Sequence, residues 1–170
     1  MDTEHYRAIM RHQAGAVTVI ACGPEGARAG LTATAVASLS DTPPTVLACV
    51  NQSAGAHSEI LRSLAFSVNL LSTQQQDVAE RFAGKGGLKG EARFEGLAWR
   101  TLATGSPVLD QALASLDCEL VDHHFFATHS IFIGRVVAGQ FRAAAEPLLY
   151  FRGDYWNFDN GPSTRSEPRP

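Results

Sequence analysis

One stretch decides how the chain is interpreted, Gly30-Leu-Thr-Ala-Thr-Ala-Val-Ala-Ser-Leu-Ser40, in which hydroxyl groups alternate with very small side chains. Side chains this small let a flat ligand lie against the backbone. They also leave amide N–H groups and hydroxyls free to hydrogen-bond with the polar edge of that ligand. The hydroxyls concerned are those of Thr32, Thr34, Ser38 and Ser40. The same alternation occurs in ordinary strands with a polar face, so the stretch alone predicts either a ligand-binding strand or a plain one.

The bulk properties around this stretch indicate a globular protein of one domain. The chain has 170 residues, 45% of them hydrophobic and 18% charged, which is enough to bury a core without disulfides. Its net charge is −3 and it has no basic stretch, so nucleic acid is not an expected partner. No apolar run approaches the roughly 20 residues that span a bilayer, and the first residues do not read as a signal peptide. We therefore expect a cytoplasmic protein that does not enter a membrane.

The cysteines and the other metal-ligating residue types predict no metal site. Cys22, Cys49 and Cys118 are widely spaced, odd in number and set in strand-like apolar surroundings. Their spacing from one another and from histidines does not fit zinc, and a cytoplasmic chain gives no reason to expect a disulfide. The sequence therefore predicts three buried, unreactive thiols.

Hydrophobic periodicity predicts a mainly β domain over residues 1–158, with helices at its periphery. The expected helices cover residues 3–13, with Thr3 as the N-cap, residues 54–64, and a segment from Ser72 or Thr73 to Phe82. The expected strands cover residues 16–22, 30–40, 45–50, 65–71, 114–126, 130–141 and, as the last strand, 148–152. Several non-local strands of similar length predict an antiparallel, Greek-key-like barrel. Residues 83–92 are expected to be a mobile loop, and residues 159–170 a disordered tail.

Two segments carry residue types suited to phosphate. Asn51-Gln-Ser-Ala-Gly-Ala-His-Ser58 leaves an apolar strand and enters a predicted helix, whose free N–H groups favour an anion. Ordinary helix capping is the alternative for this segment. Phe82-Ala-Gly84 ends a predicted helix before a glycine-rich loop that holds Lys85 and Lys89. Gly84 there is either a helix C-cap or a point where the backbone approaches a ligand closely.

Two further segments offer groups for a planar ring. His129 lies between two long predicted strands, where a hairpin tip or barrel mouth would place it, although a lone loop histidine is often only solvated. Gly153-Asp-Tyr155, followed by Trp156 and Phe158, is either a turn with a C-terminal anchor or an aromatic platform for stacking. No arrangement of a nucleophile with a histidine is visible, so covalent catalysis is not expected.

Taken in order, these segments resemble the flavin reductase-like family, the short-chain NAD(P)H:flavin reductases that serve two-component flavin monooxygenases. The resemblance covers nearly the whole chain apart from residues 159–170. Its matching pieces are residues 6–10, 16–20, 30–38, 43–51, 66–71, 81–84, 93–94, 128–129 and 149–155.

The resemblance implies an FMN-binding split barrel that forms a homodimer, with the flavin near the subunit interface. It implies FMN or FAD and NADH or NADPH as cofactors, and a separate monooxygenase that receives the reduced flavin. The residues implied for the flavin ring and ribityl chain are Thr32, Ala33, Thr34, Ala35, Val36, Ser38 and Leu39. Those implied for the phosphate side are Asn51, Ser53, Ala54, Gly55, Ala56, His57 and Ser58, closed by Phe82, Ala83 and Gly84. Those implied for the nicotinamide are His129, Arg152, Gly153, Asp154 and Tyr155.

The chain departs from the family pattern at two places. Many relatives carry Arg or Lys after the Asn51 position, where this chain has Gln52, which predicts weaker phosphate affinity and a flavin that is exchanged. The usual Gly-Asp before the histidine is Ala127-Thr128, so His129 has no neighbouring carboxylate.

Two alternatives remain beside the reductase. A split-barrel protein that stores flavin, or carries electrons on it without rapid turnover, would use the same residues. A relative of pyridoxamine-phosphate oxidase would share the general fold, but the motifs above do not support it.

Overall fold

The computed structural model describes residues 1–158, so the tail expected at residues 159–170 lies outside the described part of the chain. The helices are α1 (Thr3–Met10), α2 (Gly55–Ser63) and α3 (Gln76–Phe82). The strands are β1 (Gly15–Ala16), β2 (Thr18–Cys22), β3 (Ala29–Ala33), β4 (Val36–Asp41), β5 (Pro44–Asn51), β6 (Ala65–Leu70), β7 (Trp99–Thr101), β8 (Pro107–Leu109), β9 (Ala114–Phe126), β10 (His129–Phe141), β11 (Leu149–Phe151) and β12 (Asp154–Trp156). The expectation of a mainly β fold with few helices is confirmed.

The main sheet has seven antiparallel strands in the order β3-β2-β6-β9-β10-β5-β4. Its two edge strands, β3 and β4, follow one another in the chain and are separated only by Thr34 and Ala35. A sheet whose first and last strands are joined by two residues has to curve so that its edges approach each other at that point. Smaller sheets, β1-β11-β12 and β7-β8, lie beside it.

Both faces of β2 are buried, which explains why its sequence is apolar throughout. Successive side chains of a strand point to opposite faces, so two cores share this strand. Val19 and Ala21 belong to an outer core with the apolar side of α3. Ile20 and Cys22 belong to an inner core with residues of the central strands. The outer core therefore fixes α3 against the β2–β3 edge of the main sheet.

The helices form where the periodicity predicts them, with one different cap. Asp2, and not Thr3, is the N-cap of α1, because its carboxylate accepts the His5 N–H at 2.8 Å. Ser72 begins a short 3₁₀ turn that leads into α3, and a reciprocal capping box with Gln75 satisfies backbone groups at this start.

Three strand predictions are corrected. The strand expected over 16–22 is divided into β1 and β2, and the one expected over 30–40 turns a corner between β3 and β4. The expected last strand is followed by β12, because Arg152 (φ 54°) and Gly153 (φ 89°) form a two-residue hairpin turn. The short β7–β8 hairpin was not predicted, since three-residue strands carry too few positions to show an alternation.

The cysteines differ in their surroundings. Cys22 and Cys118 are buried, and burial raises the pKa of both thiols, that of Cys118 to about 12, so neither forms a thiolate at neutral pH. Cys49 is only partly buried, so the prediction of three buried thiols is wrong for this residue.

Candidate functional site

The corner between β3 and β4 is the point at which three cavities meet. Thr34 lines all three of them. We name them the outer groove (about 220 Å³), the arginine groove (about 340 Å³) and the mouth cavity (about 440 Å³). The corner exists because the chain leaves one edge of the main sheet and enters the other, so no sheet neighbour covers its outer side.

The outer groove joins three of the segments that the sequence singled out. Its lining is Val17, Thr32, Ala33, Thr34, Ala83, Tyr150 and Tyr155. The small side chains come from the β3 end and from the segment after α3, whereas the two tyrosines come from the β11–β12 hairpin. These tyrosines pack edge to face, with ring centroids 5.5 Å apart. A groove with small side chains on one side and aromatic rings on the other suits a planar ring.

The hydroxyls of the decisive stretch are not all free. Thr32 donates its hydroxyl to the Ala79 carbonyl of α3 at 2.6 Å, and Ser40 accepts the Thr42 N–H at 3.2 Å. Within residues 1–158 the Thr34 and Ser38 hydroxyls have no hydrogen-bond partner in the protein, and both residues are exposed. The Thr32 proton is therefore engaged within the protein, so the expectation of four free hydroxyls is wrong for Thr32, whereas Ser40 only accepts and keeps its own O–H to donate.

The residues expected to line the flavin ring do not share one face. Val36 and Ser38 line the mouth cavity together with apolar residues of the inner core. Leu39, the next residue along β4, is 50% exposed. Alternation along β4 separates these side chains, so a single molecule in the outer groove reaches Thr32, Ala33 and Thr34 but not all of the expected set.

The phosphate-side segment forms the start of α2. Ala54 is the N-cap and has no side-chain hydrogen bond, and the His57 N–H donates to the Ala54 carbonyl at 2.9 Å. Within residues 1–158, the N–H groups at this start without a partner are those of Gly55 and Ala56. Asn51 accepts the N–H and the hydroxyl of Ser53 at 2.9 and 2.8 Å, which shapes the turn before the helix. Ser58 donates to the Gly55 carbonyl at 3.1 Å, which occupies its hydroxyl proton within the helix. The backbone, more than these side chains, is what this segment offers to a phosphate.

His57 faces the interior and not the open start of α2. The residue is 7% exposed, and its Nε2 is hydrogen-bonded to the Ser130 hydroxyl at 2.8 Å. The ring packs against Phe132, with centroids 5.2 Å apart. Burial first, and then the charge of His123, lower the pKa of His57 from its ordinary value of 6.5. His57 is therefore held neutral in the folded protein, and only its backbone lies at the predicted phosphate site.

This histidine makes stability depend on pH. Below pH 6.5 an unfolded chain protonates His57 while the folded chain does not, so the free energy of unfolding should fall as the pH drops from about 6.5 through the lowered pKa. The variant His57→Gln should flatten that slope in urea denaturation measured between pH 5 and pH 8. His12→Gln, at an exposed histidine, is the matched control. An unchanged slope in the His57 variant would contradict this assignment.

At the end of α3, Phe82 is part of the outer core, whereas Ala83 lines the outer groove. Phe82 is 1% exposed and packs edge to face on Phe94 at 5.0 Å, so its ring belongs to the outer core. Ala83 is exposed and lines the outer groove, and Gly84 ends the helix with φ 99°. Arg93 donates to the carbonyls of Phe82 and Gly30, both at 3.1 Å, and so ties the end of α3 to β3. Nothing in the sequence indicated this bracing role of Arg93.

The residues expected at the nicotinamide lie in two places. Tyr155 reaches the outer groove, where burial raises its pKa, and the charges of Glu80 and Tyr150 raise it further, so the phenol keeps its proton. Arg152 and Gly153 form the hairpin turn beside it, and Asp154 accepts the Tyr155 N–H at 2.8 Å.

His129 lies elsewhere, at the start of β10. It pairs with Asn51 of β5, and its carbonyl accepts the Gln52 side-chain amide at 3.0 Å. Gln52 thus holds the hairpin of His129 to the phosphate-side segment. Within one chain the structure therefore brings His129 to the predicted phosphate site and not to the β11–β12 hairpin.

Tyr150 is the residue of this site that sequence reasoning missed. It lines both the outer groove and the arginine groove. It pairs with Tyr155 across the β11–β12 hairpin, so the two aromatic side chains share a face. The two-residue turn at Arg152 and Gly153 was the available signal, because it sets the register of that pairing.

Residues 1–158 contain no cluster of three His, Cys, Asp or Glu side chains placed to hold a metal ion. Among the helices of the same residues, none has the length and apolar character needed to cross a membrane.

Comparisons with known proteins show which family the chain resembles. The FMN reductase (NADH) RutF of Methylorubrum populi is 36% identical over 168 residues, which cover 99% of this chain and 82% of that protein. The structure of the flavin reductase PheA2 superimposes with a TM-score of 0.83 at 33% identity, covering 93% of this chain and 99% of that one. BorF, the flavin reductase component of a bacterial two-component tryptophan halogenase, gives a TM-score of 0.84 at 30% identity, with 92% and 98% covered.

The sequence model described as the flavin reductase like domain matches residues 10–159 of this chain. That range contains the β3–β4 corner, the start of α2, the end of α3 and the β11–β12 hairpin. The resemblance inferred from the sequence is thereby confirmed, and the chain belongs to the flavin reductase-like family.

Proposed function

We propose that this protein transfers a hydride from NADH or NADPH to a flavin, FMN or FAD, and supplies the reduced flavin to a separate monooxygenase. Its relatives named FMN reductase (NADH) support the reaction, and structural neighbours that are reductase components of two-component systems support the partner. We place this activity in the cytoplasm, where nicotinamide dinucleotides are available. The observation that carries the proposal is the outer groove, in which small side chains of β3 face the two tyrosines of the β11–β12 hairpin.

The flavin ring fits the small-residue side of the outer groove. Ala33 and Ala83 present no side chain beyond Cβ, and the free Thr34 hydroxyl can hydrogen-bond with the polar edge of the ring. The start of α2 would hold the phosphate through its uncapped N–H groups. At the start of α2, the Ala56 carbonyl is 3.5 Å from the Cys22 thiol. Cys22 pairs with Ala29 at one end of the β2–β3 pair, whereas Ala33 lies at the other end. Ring and phosphate regions are thus separated along β3 by about 13 Å.

The protein positions the reactants and does not react itself. When dinucleotide and flavin are both bound, the dinucleotide supplies a hydride that flavin N5 accepts. Tyr150 and Tyr155 shield the outer groove from water and offer aromatic faces to the nicotinamide. The Tyr155 hydroxyl keeps its proton and can donate it in a hydrogen bond to a carboxamide.

A homodimer and a closed split barrel complete the proposal. Phe125 and Phe126, near the tip of the β9–β10 hairpin, are 59% and 78% exposed, and Val121 beside them is 52% exposed. Apolar side chains this exposed on one hairpin support an interface with a second subunit. The distance in the fold between His129 and the β11–β12 hairpin supports the same idea, since His129 of one subunit would serve the site of the other. The two-residue link between β3 and β4 supports closure of the barrel.

A spectrophotometric assay tests the proposed function. NADH oxidation followed at 340 nm should be rapid when FMN, FAD or riboflavin is added in turn, and negligible without flavin. The variant His129→Ala should raise the Michaelis constant for NADH by roughly tenfold and that for flavin much less, as expected for one lost hydrogen bond to a charged or polar ligand. His5→Ala, at an exposed histidine of α1 that lines none of the three cavities, is the control. Unchanged constants in the His129 variant would remove this residue from the site.

The same assay distinguishes the storage or electron-carrier alternative. That alternative requires flavin retained stoichiometrically through purification together with negligible NADH oxidation when flavin is added. Gln52 favours the reductase, because a phosphate site without its usual cation suits a flavin that is exchanged.

A further inference from the structure

The arginine groove lies between α1 and the β11–β12 hairpin and opens onto the candidate site. Its lining is Arg7, Met10, Arg11, Gln13, Gly15, Thr34, Ala35 and Tyr150. The groove is held in place at both sides. The Arg152 N–H donates to the Arg11 carbonyl at 2.7 Å, which fastens the hairpin to the end of α1. A Cβ atom at Gly15 would lie 3.1 Å from Thr34 Cβ, so glycine there lets β1 approach the β3–β4 corner.

Two cations of this groove have no acidic partner among residues 1–158. Arg7 and Arg11 are four residues apart at the end of α1, a spacing that puts both side chains on one face of the helix. None of the salt bridges found within residues 1–158 includes either of them. In a chain whose net charge is −3, two unpaired guanidinium groups on one groove create a local site for an anion. Guanidinium groups prefer phosphate because they can donate two parallel hydrogen bonds to it.

The position of the groove indicates which phosphate it meets. Thr34 and Tyr150 line both the arginine groove and the outer groove, so the two grooves lie side by side at these residues. A molecule with its ring in the outer groove would therefore extend its phosphates toward Arg7 and Arg11. The start of α2 lies at the other end of β3 and provides a separate site for the FMN phosphate. The arginine groove is thus left for a second set of phosphates.

We infer that the arginine groove binds the diphosphate of an adenine dinucleotide, with Arg7 and Arg11 as its ligands. This inference rests on the proposed function for the ring that occupies the outer groove. NAD(P)H and FAD both carry a diphosphate, whereas FMN and riboflavin do not. The first phosphate of FAD is the FMN phosphate, which the proposed function puts at the start of α2, so the groove would serve NAD(P)H.

Calorimetric titration with ADP tests the groove without any turnover. The double variant Arg7→Gln/Arg11→Gln should bind ADP about 100-fold more weakly than the unmodified protein, roughly tenfold for each guanidinium–phosphate interaction. Arg142→Gln removes one exposed charge outside the groove and should bind ADP normally. Circular dichroism of each variant checks that the fold is retained. Equal ADP affinity in the double variant and the unmodified protein would overturn the inference.

Steady-state assays then identify the source of the diphosphate. A raised Michaelis constant for NADH with riboflavin as the acceptor assigns the groove to the nicotinamide dinucleotide. A raised constant for FAD, with those for NADH and FMN unchanged, would place the flavin diphosphate in this groove and overturn its assignment to NAD(P)H. If neither constant changes, the inference fails while the proposed reductase activity stands. The unmodified protein could also fail to oxidise NADH while the double variant binds ADP more weakly than the unmodified protein does. The proposed function would then fail, and the arginine groove would remain a diphosphate site.

Discussion

Replacement of Thr34 by tryptophan should lower kcat/KM for flavin reduction by at least about 100-fold. Thr34 lines the outer groove, the arginine groove and the mouth cavity, so an indole at this position enters space that the proposed ring and dinucleotide need. Displacing bound reactants by about 1 Å already costs a factor of this order. Thr34 is exposed at a corner without sheet neighbours, so the substitution should leave the fold intact. The measurement is NADH oxidation with FMN, together with FMN binding followed by fluorescence quenching.

Two variants control for effects unrelated to the grooves. Thr101→Trp adds an indole at an exposed residue of β7 that lines none of the three cavities, and it should retain full activity. Thr34→Ser keeps the free hydroxyl and removes only a methyl group, and it should stay within about threefold of the unmodified protein. Full activity of Thr34→Trp would show that the proposed ring does not lie at this corner.

Replacement of Phe82 by alanine should lower the free energy of unfolding by about 3–5 kcal/mol, the usual cost of emptying a buried aromatic site. The Phe82 ring is 1% exposed and packs on Phe94 and Trp99, with centroids 5.0 and 5.8 Å away. Its removal would leave a cavity between α3 and β3, because the rigid rings around it cannot collapse fully. Urea denaturation followed by tryptophan fluorescence measures the change.

The Phe82 prediction also separates a core residue from a flavin ligand. The resemblance implied that Phe82 closes the flavin site, whereas the structure buries it behind the groove that Ala83 lines. Phe82→Leu should recover more than half of the lost stability and leave the Michaelis constant for FMN unchanged. A Phe82→Leu protein of normal stability with a strongly raised constant for FMN would show that the ring itself contacts flavin.

Local features of the site could be predicted from the sequence. The small side chains at Ala33 and Ala83, the hydroxyl of Thr34 and the polar turn before α2 depend on residue type and on one element each. Capping and strand alternation act over a few residues, so the bounds of α2, α3 and β9 follow from them closely. The family resemblance showed that these local segments occur along the chain in the same order as in flavin reductases.

Other features could not be predicted because they depend on packing between distant segments. Thr32 looked free in the sequence, but α3 packs against β3 and its Ala79 carbonyl accepts the hydroxyl. His57 follows a turn that suits a phosphate, yet the rotation of α2 directs the ring to Ser130. Neither contact has a local signature, since the bonded residues are 47 and 73 positions apart.

By itself, the sequence determined which residues could line a flat ligand and that the chain resembles flavin reductases, because motif spacing and side-chain size are properties of the linear chain. Only the tertiary structure decided that the stretch from Gly30 to Ser40 spans the two opposite edges of one sheet. Pairing across the sheet made Thr34 the residue common to three cavities, and the β11–β12 hairpin brought Tyr150 to it. Thr34 and Tyr150 line the same two grooves although they are more than 100 residues apart in the sequence. Only long-range strand pairing and core packing can bring such distant segments together.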